Sequence, residues 1–105
     1  MPNLLTDSEL AIVQSALVIE PGLTTIRLGV ERLRDGSITW HDTAVVSVGR
    51  MGRMEGFELD SDLIDAFAAD HPATGSDYVI EVTAMVRAAA LVRYLQRPAA
   101  ETATV

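Results

Sequence analysis

The chain contains no cysteine, which removes disulfides, thiolate metal sites and cysteine nucleophiles from consideration. Lysine is missing too: all eight basic residues are arginine, so Schiff-base chemistry and a phosphate-loop lysine are excluded. Aromatic residues make up 5% of the sequence, few enough that most are needed for packing rather than for lining a ligand pocket. No uncharged run approaches the length of a membrane span. The opening MPNLLTDSE lacks the basic segment that precedes the apolar run of a secretory signal. These absences lead us to expect a cytoplasmic protein with no membrane partner.

What is present is apolar and acidic. Of 105 residues, 49% are hydrophobic, and the mean hydropathy is +0.23. A chain of this length buries roughly 60–70% of its unfolded surface, so its core is modest and some apolar surface remains to be covered. An interface between copies is the natural place for it. The net charge of −7 keeps such a surface soluble and argues against nucleic acid as a partner. Arg27, Arg32 and Arg34 make one segment locally basic, but Glu31 and Asp35 dilute it.

The first element is announced by Thr6-Asp7-Ser8-Glu9, a capping box in which Thr6 and Glu9 satisfy each other's backbone amides. Leu10, Val13 and Leu17 form a stripe with Ile12, Ala16 and Ile19 beside it, predicting a helix over residues 7–19 that Pro21-Gly22 ends. The piece Ala16–Glu20 reads equally as a strand.

A hairpin follows. Ile26, Leu28 and Val30 alternate with polar residues, as do Ile38 and Trp40 across an Asp35-Gly36 turn. Two registers are open, and they differ in which face receives the side chains. A three-residue loop with Gly36 left-handed pairs Val30 with Trp40 and Leu33 with Ser37. It gathers Ile26, Leu28, Val30, Ile38 and Trp40 on one face, so we expect that register. The alternation breaks at His41-Asp42-Thr43, where a bulge or turn belongs, and resumes through Val48.

Residues 49–56 read as a loop, residues 60–71 as a short helix capped by Asp60 or Ser61, and Ser76–Arg97 as one long helix. Pro98–Val105 reads as a flexible tail, leaving residues 1–97 as a single domain. The expected fold class is a small α+β domain: an N-terminal helix, an antiparallel hairpin or three-stranded sheet, and two C-terminal helices packed on one face.

Three groups of residues invite a functional reading. The loop Gly49-Arg50-Met51-Gly52-Arg53 offers glycine amides and two guanidinium forks to an anion, with Trp40 as an apolar neighbour. Its spacing matches no phosphate-binding motif, and a plain connector explains it better. His41-Asp42 and Asp70-His71 lack the spacing of a metal site, so neither metal nor cofactor is expected. Ser47 lies outside a nucleophile-elbow motif, and no catalytic residue is assigned. The segment Ser76–Arg97 is apolar most of the way round, which implies burial on two faces. Val82, Met85, Val86, Ala89 and Val92 are the residues we expect at a homodimer interface. The expectation is a non-catalytic interaction module, a homodimer whose acidic surface suits a basic partner protein. The alternative is a small-molecule-binding protein or small enzyme, with an anionic or apolar ligand between sheet and helices near Arg50, Arg53 and Trp40.

Overall fold

The computed structural model describes residues 5–95, with side chains to residue 92; the expected tail at residues 98–105 lies outside them. The chain starts with α1 (Asp7–Ile19), and its capping box forms as the sequence predicts. Glu9 N–H donates to Thr6 Oγ1 at 3.2 Å, and Thr6 N–H donates to Glu9 Oε1 at 2.7 Å. The helix runs through Ile19, which resolves the ambiguity of Ala16–Glu20, and Glu20 N–H closes its last turn on the Ala16 carbonyl at 2.8 Å.

Four strands then alternate in pairs: β1 (Leu23–Leu28), β2 (Val30–Arg32), β3 (Ile38–Trp40) and β4 (Thr43–Val48). Val30 sits opposite Trp40, and Leu33 N–H donates to the Ser37 carbonyl at 2.8 Å. Gly36 takes φ +90°, the left-handed conformation that the three-residue loop requires. Farther along, Arg27 pairs with Val45. Between these two pairings one strand advances three residues and the other five, so His41 and Asp42 form the bulge expected at the break.

Two expectations are corrected. Residues 53–58 are not loop but β5 (Arg53–Glu58), paired with β4 from Val48↔Arg53 to Thr43↔Glu58. Only Gly49 and Gly52 turn the chain, with φ of +72° and +71°; Gly56 is an ordinary strand residue opposite Val45. The other correction concerns Ser76–Arg97, which is not one helix. After α2 (Ser61–Asp70), residues 78–81 form β6 (Tyr78–Glu81), and the helix is α3 (Ala84–Leu95). Ile80 and Val82 are buried while Val79 and Glu81 are exposed, a period-two pattern suited to β-branched side chains. Thr83 then starts the helix, its Oγ1 accepting from Val86 N–H at 3.2 Å.

The main sheet has the order β5-β4-β1-β6, all antiparallel, and β2–β3 extends the central hairpin as a separate ribbon. Leu23, Ile26, Leu28, Ala44, Val46, Phe57 and Ile80 turn one face into the core, where Ile12, Val13 and Ala16 of α1, Phe67 of α2 and Ala90 of α3 meet them. α1 packs against both other helices. The result is the expected α+β class, with helices on one side of a small antiparallel sheet and more strands than the sequence showed. The opposite sheet face is open: Val45, Arg27 and Val79 lie side by side across three strands, all exposed.

Candidate functional site

Of the residues expected near an anion, Gly49, Arg50, Gly52 and Arg53 share one end of a hairpin, and Trp40 lies apart from them. Gly49, Arg50, Met51 and Gly52 form the tip of the β4–β5 hairpin. Arg53 opposes Val48 at that end, its guanidinium 2.8 Å from Glu55 and 3.7 Å from Glu20. Its charge is already answered by two carboxylates. Trp40 lies on β3, beyond the far end of that hairpin. There its Nε1–H donates to the His71 carbonyl at 2.6 Å, and its ring meets Phe67 edge-on at 5.1 Å. Trp40 is a core residue that ties β3 to the end of α2.

Around that contact lies a polar and aromatic cluster that sequence reasoning did not find. Glu9 is 3% exposed. Its Oε1 accepts from Thr6 N–H, its Oε2 accepts from Tyr78 Oη, and His71 Nε2 stands 3.8 Å from Oε1. The His71 ring stacks on Phe67 at 4.4 Å, and Ser8 Oγ donates to Asp70 Oδ2 at 2.8 Å. The hydrogen bond to Glu9, reinforced by burial and by the Glu9 charge, pushes the Tyr78 phenol up to about 12. A phenol that holds its proton so firmly is the opposite of a general base or nucleophile at neutral pH. The cluster fastens the first turn of α1 to α2 and β6. The capping box was legible, but the partner of Glu9 lies 69 residues away, beyond any local pattern.

His41 caps the bulge locally, its Nδ1 accepting from Thr43 N–H at 3.1 Å. It borders an open concavity of about 360 Å³ with Arg27, Val30, Thr43, Val45 and Asp77, where Arg27 pairs with Asp77 at 3.2 Å. Among the described residues, no three or more His, Asp or Glu side chains are grouped so as to hold a metal ion.

The most distinctive surface lies on the helical layer. A groove of about 240 Å³ runs between α1 and α3, lined by Gln14, Leu17, Val18, Arg87, Ala90 and Leu91. The Arg87 guanidinium is committed inward, donating to the carbonyls of Pro21 and Leu23, so the groove presents mainly carbon. Val18 and Leu91 on its walls are 72% and 57% exposed, and outside it Met85 is 74% and Val92 50% exposed. Of the interface residues named from the sequence, Val82 precedes α3 and the other four divide between its two sides. Val82 is buried and Val86 packs against the core, Ala89 is half-buried, and Met85 and Val92 face solvent. The outward stripe is Ala84, Met85, Ala88, Leu91 and Val92, all exposed, at the i, i+1, i+4, i+7, i+8 spacing of one helix face. Between Leu10 and Ile19, and again between Ala84 and Val92, Arg87 is the one charged residue.

No protein-family model matches the chain, and comparison with curated proteins and with solved structures yields no match.

Proposed function

We propose that the protein is a non-catalytic interaction module that self-associates through the outer face of α3. The observation that carries this reading is the uncharged apolar stripe on α3 beside the α1–α3 groove, in a chain of net charge −7. Copies of so acidic a chain repel one another, and they can approach closely only where carboxylates are absent. Exposed contiguous apolar surface of this kind marks interaction sites in soluble domains. The acidic outer face of α2 and its N-cap, with Asp60, Asp62 and Asp65 exposed, suits a basic partner protein and would act chiefly on encounter rate and specificity. A cysteine-free chain suits the cytoplasm.

Light scattering over a range of concentrations tests the reading. The wild-type chain is expected to give a dimer mass. Leu91→Glu is expected to give a monomer with little change in melting temperature, because the side chain is 57% exposed and contributes little to the chain's own core. A wild-type monomer at every concentration would overturn the proposal.

A further inference from the structure

The turn joining β2 to β3 holds the single aspartate–glycine pair in the chain, Asp35-Gly36. Residues 31–37 are all exposed, and a Cβ at Gly36 would meet nothing within 4 Å. That open space leaves the Gly36 backbone nitrogen unhindered beside the Asp35 side chain, the arrangement from which a cyclic imide forms. In that step the nitrogen attacks the protonated carboxyl carbon of Asp35. A C–N bond forms, and one water leaves, made of the carboxyl hydroxyl and the amide hydrogen. Water then re-enters at either carbonyl of the imide. Opening the new bond restores aspartate. Opening the original peptide link leaves isoaspartate, with the main chain running through the side-chain carbonyl. The sum is an isomerisation, with no change in mass or oxidation state.

The local hydrogen bonds oppose each requirement of this step. Ser37 N–H and Ser37 Oγ both donate to Asp35 Oδ1, at 2.9 Å and 2.6 Å. Such bonds favour the ionised carboxylate over the protonated form that the nitrogen attacks. The Ser37 hydroxyl first and its amide second hold the Asp35 carboxyl below the usual carboxylate range. The nucleophile is tied down as well. Gly36 N–H donates to the Leu33 carbonyl at 3.0 Å, and the Gly36 carbonyl accepts from the Arg32 guanidinium at 3.2 Å. We propose that Asp35-Gly36 is a site of spontaneous aspartate-to-isoaspartate modification, and that the Ser37 hydroxyl sets its rate. The position gives the modification a consequence for the fold. Isoaspartate adds a backbone carbon to the loop that Leu33 N–H closes on the Ser37 carbonyl at 2.8 Å, and that closure sets Val30 opposite Trp40.

Ageing the chain in warm, mildly acidic buffer, then mapping its peptides by chromatography and fragmentation, tests the proposal. Ser37→Ala should form isoaspartate at residue 35 about tenfold faster than wild type, the factor carried by one hydrogen bond to a charged group. Ser37→Thr keeps a hydroxyl and should age as wild type does. Ser37 is exposed, so neither change disturbs the core. Asp60-Ser61, outside this hairpin, serves as an internal reference whose rate should be the same in all three chains. A wild-type rate at residue 35 in Ser37→Ala, or an equal rise at Asp60, would overturn the role of the Ser37 hydroxyl. Isoaspartate absent from residue 35 in every variant would overturn the site itself.

Discussion

Glu9 serves two structures at once. As the third residue of α1 it completes the capping box, where a carboxylate near a helix N-terminus is favoured by the exposed amides. Buried as it is, that carboxylate also needs donors beyond the one amide of Thr6, and Tyr78 supplies one from the start of β6. The capping role was legible because its residues are neighbours in sequence; the second role was not, because strand and helix meet only in the fold. The bond to Glu9 leads to a pH prediction. The phenol is raised from its ordinary value of 10.0 to about 12 in the folded chain, so the native state holds the proton more tightly than the unfolded state does. The stability that this bond contributes is complete below pH 10 and drains away as the pH rises toward 12. With no lysine present and two tyrosines in all, tyrosine dominates titration in that window. The phenolate absorbance difference between wild type and Tyr78→Phe should show a midpoint near 12. The variant should melt lower at neutral pH, having left a buried acceptor short of a donor at a cost of about 1–3 kcal/mol, and its stability should fall less steeply above pH 10. A phenolate midpoint near 10 would show that the contact with Glu9 does not hold the proton.

Among the elements, the hairpin was read correctly because two independent signals agreed on one register: the left-handed demand at Gly36, and the shared face of Val30 and Trp40. β5 was hidden by the same residue type that revealed the hairpin. Three glycines between residues 49 and 56 suggested a loop, yet only Gly49 and Gly52 have positive φ. β6 was hidden for a different reason. Tyr78, Val79, Ile80 and Val82 lead straight into an apolar helix, and a period of two followed by a period of 3.6 mimics a helix that is apolar all round. The division of labour among the glycines is measurable. A Cβ at Gly36 would meet nothing within 4 Å, so Gly36→Val suffers only the backbone penalty of its φ of +90°, about 1 kcal/mol or more. A Cβ at Gly56 would make ordinary contact with Thr43 Cγ2 at 3.6 Å, with no unusual φ. Gly56→Ala should therefore be neutral or stabilising, since glycine weakens a strand interior. Equal losses on urea melts of both variants would contradict the assignment of residues 53–58 to a strand.

At the scale of the whole molecule, charge and apolar surface are separated. The carboxylates of α2 lie on one part of the surface and the uncharged stripe of α3 on another, while Arg87 is turned inward onto the carbonyls of Pro21 and Leu23. This separation gives the two proposed contacts opposite responses to salt. Two copies of a chain with net charge −7 must overcome mutual repulsion whose range falls from about 30 Å at 0.01 M ionic strength to roughly 8 Å at 0.15 M. Dimerisation through an uncharged face should therefore tighten as salt is added, with the dimer fraction at fixed low protein concentration rising across that range. Binding of a basic partner to the α2 face would weaken over the same range, because screening removes the attraction that guides it. Sedimentation equilibrium of the pure chain at several salt concentrations distinguishes the two directly. Dimerisation that weakens with salt would mean that ion pairs hold the copies together, and the apolar face of α3 could not then be the surface they share.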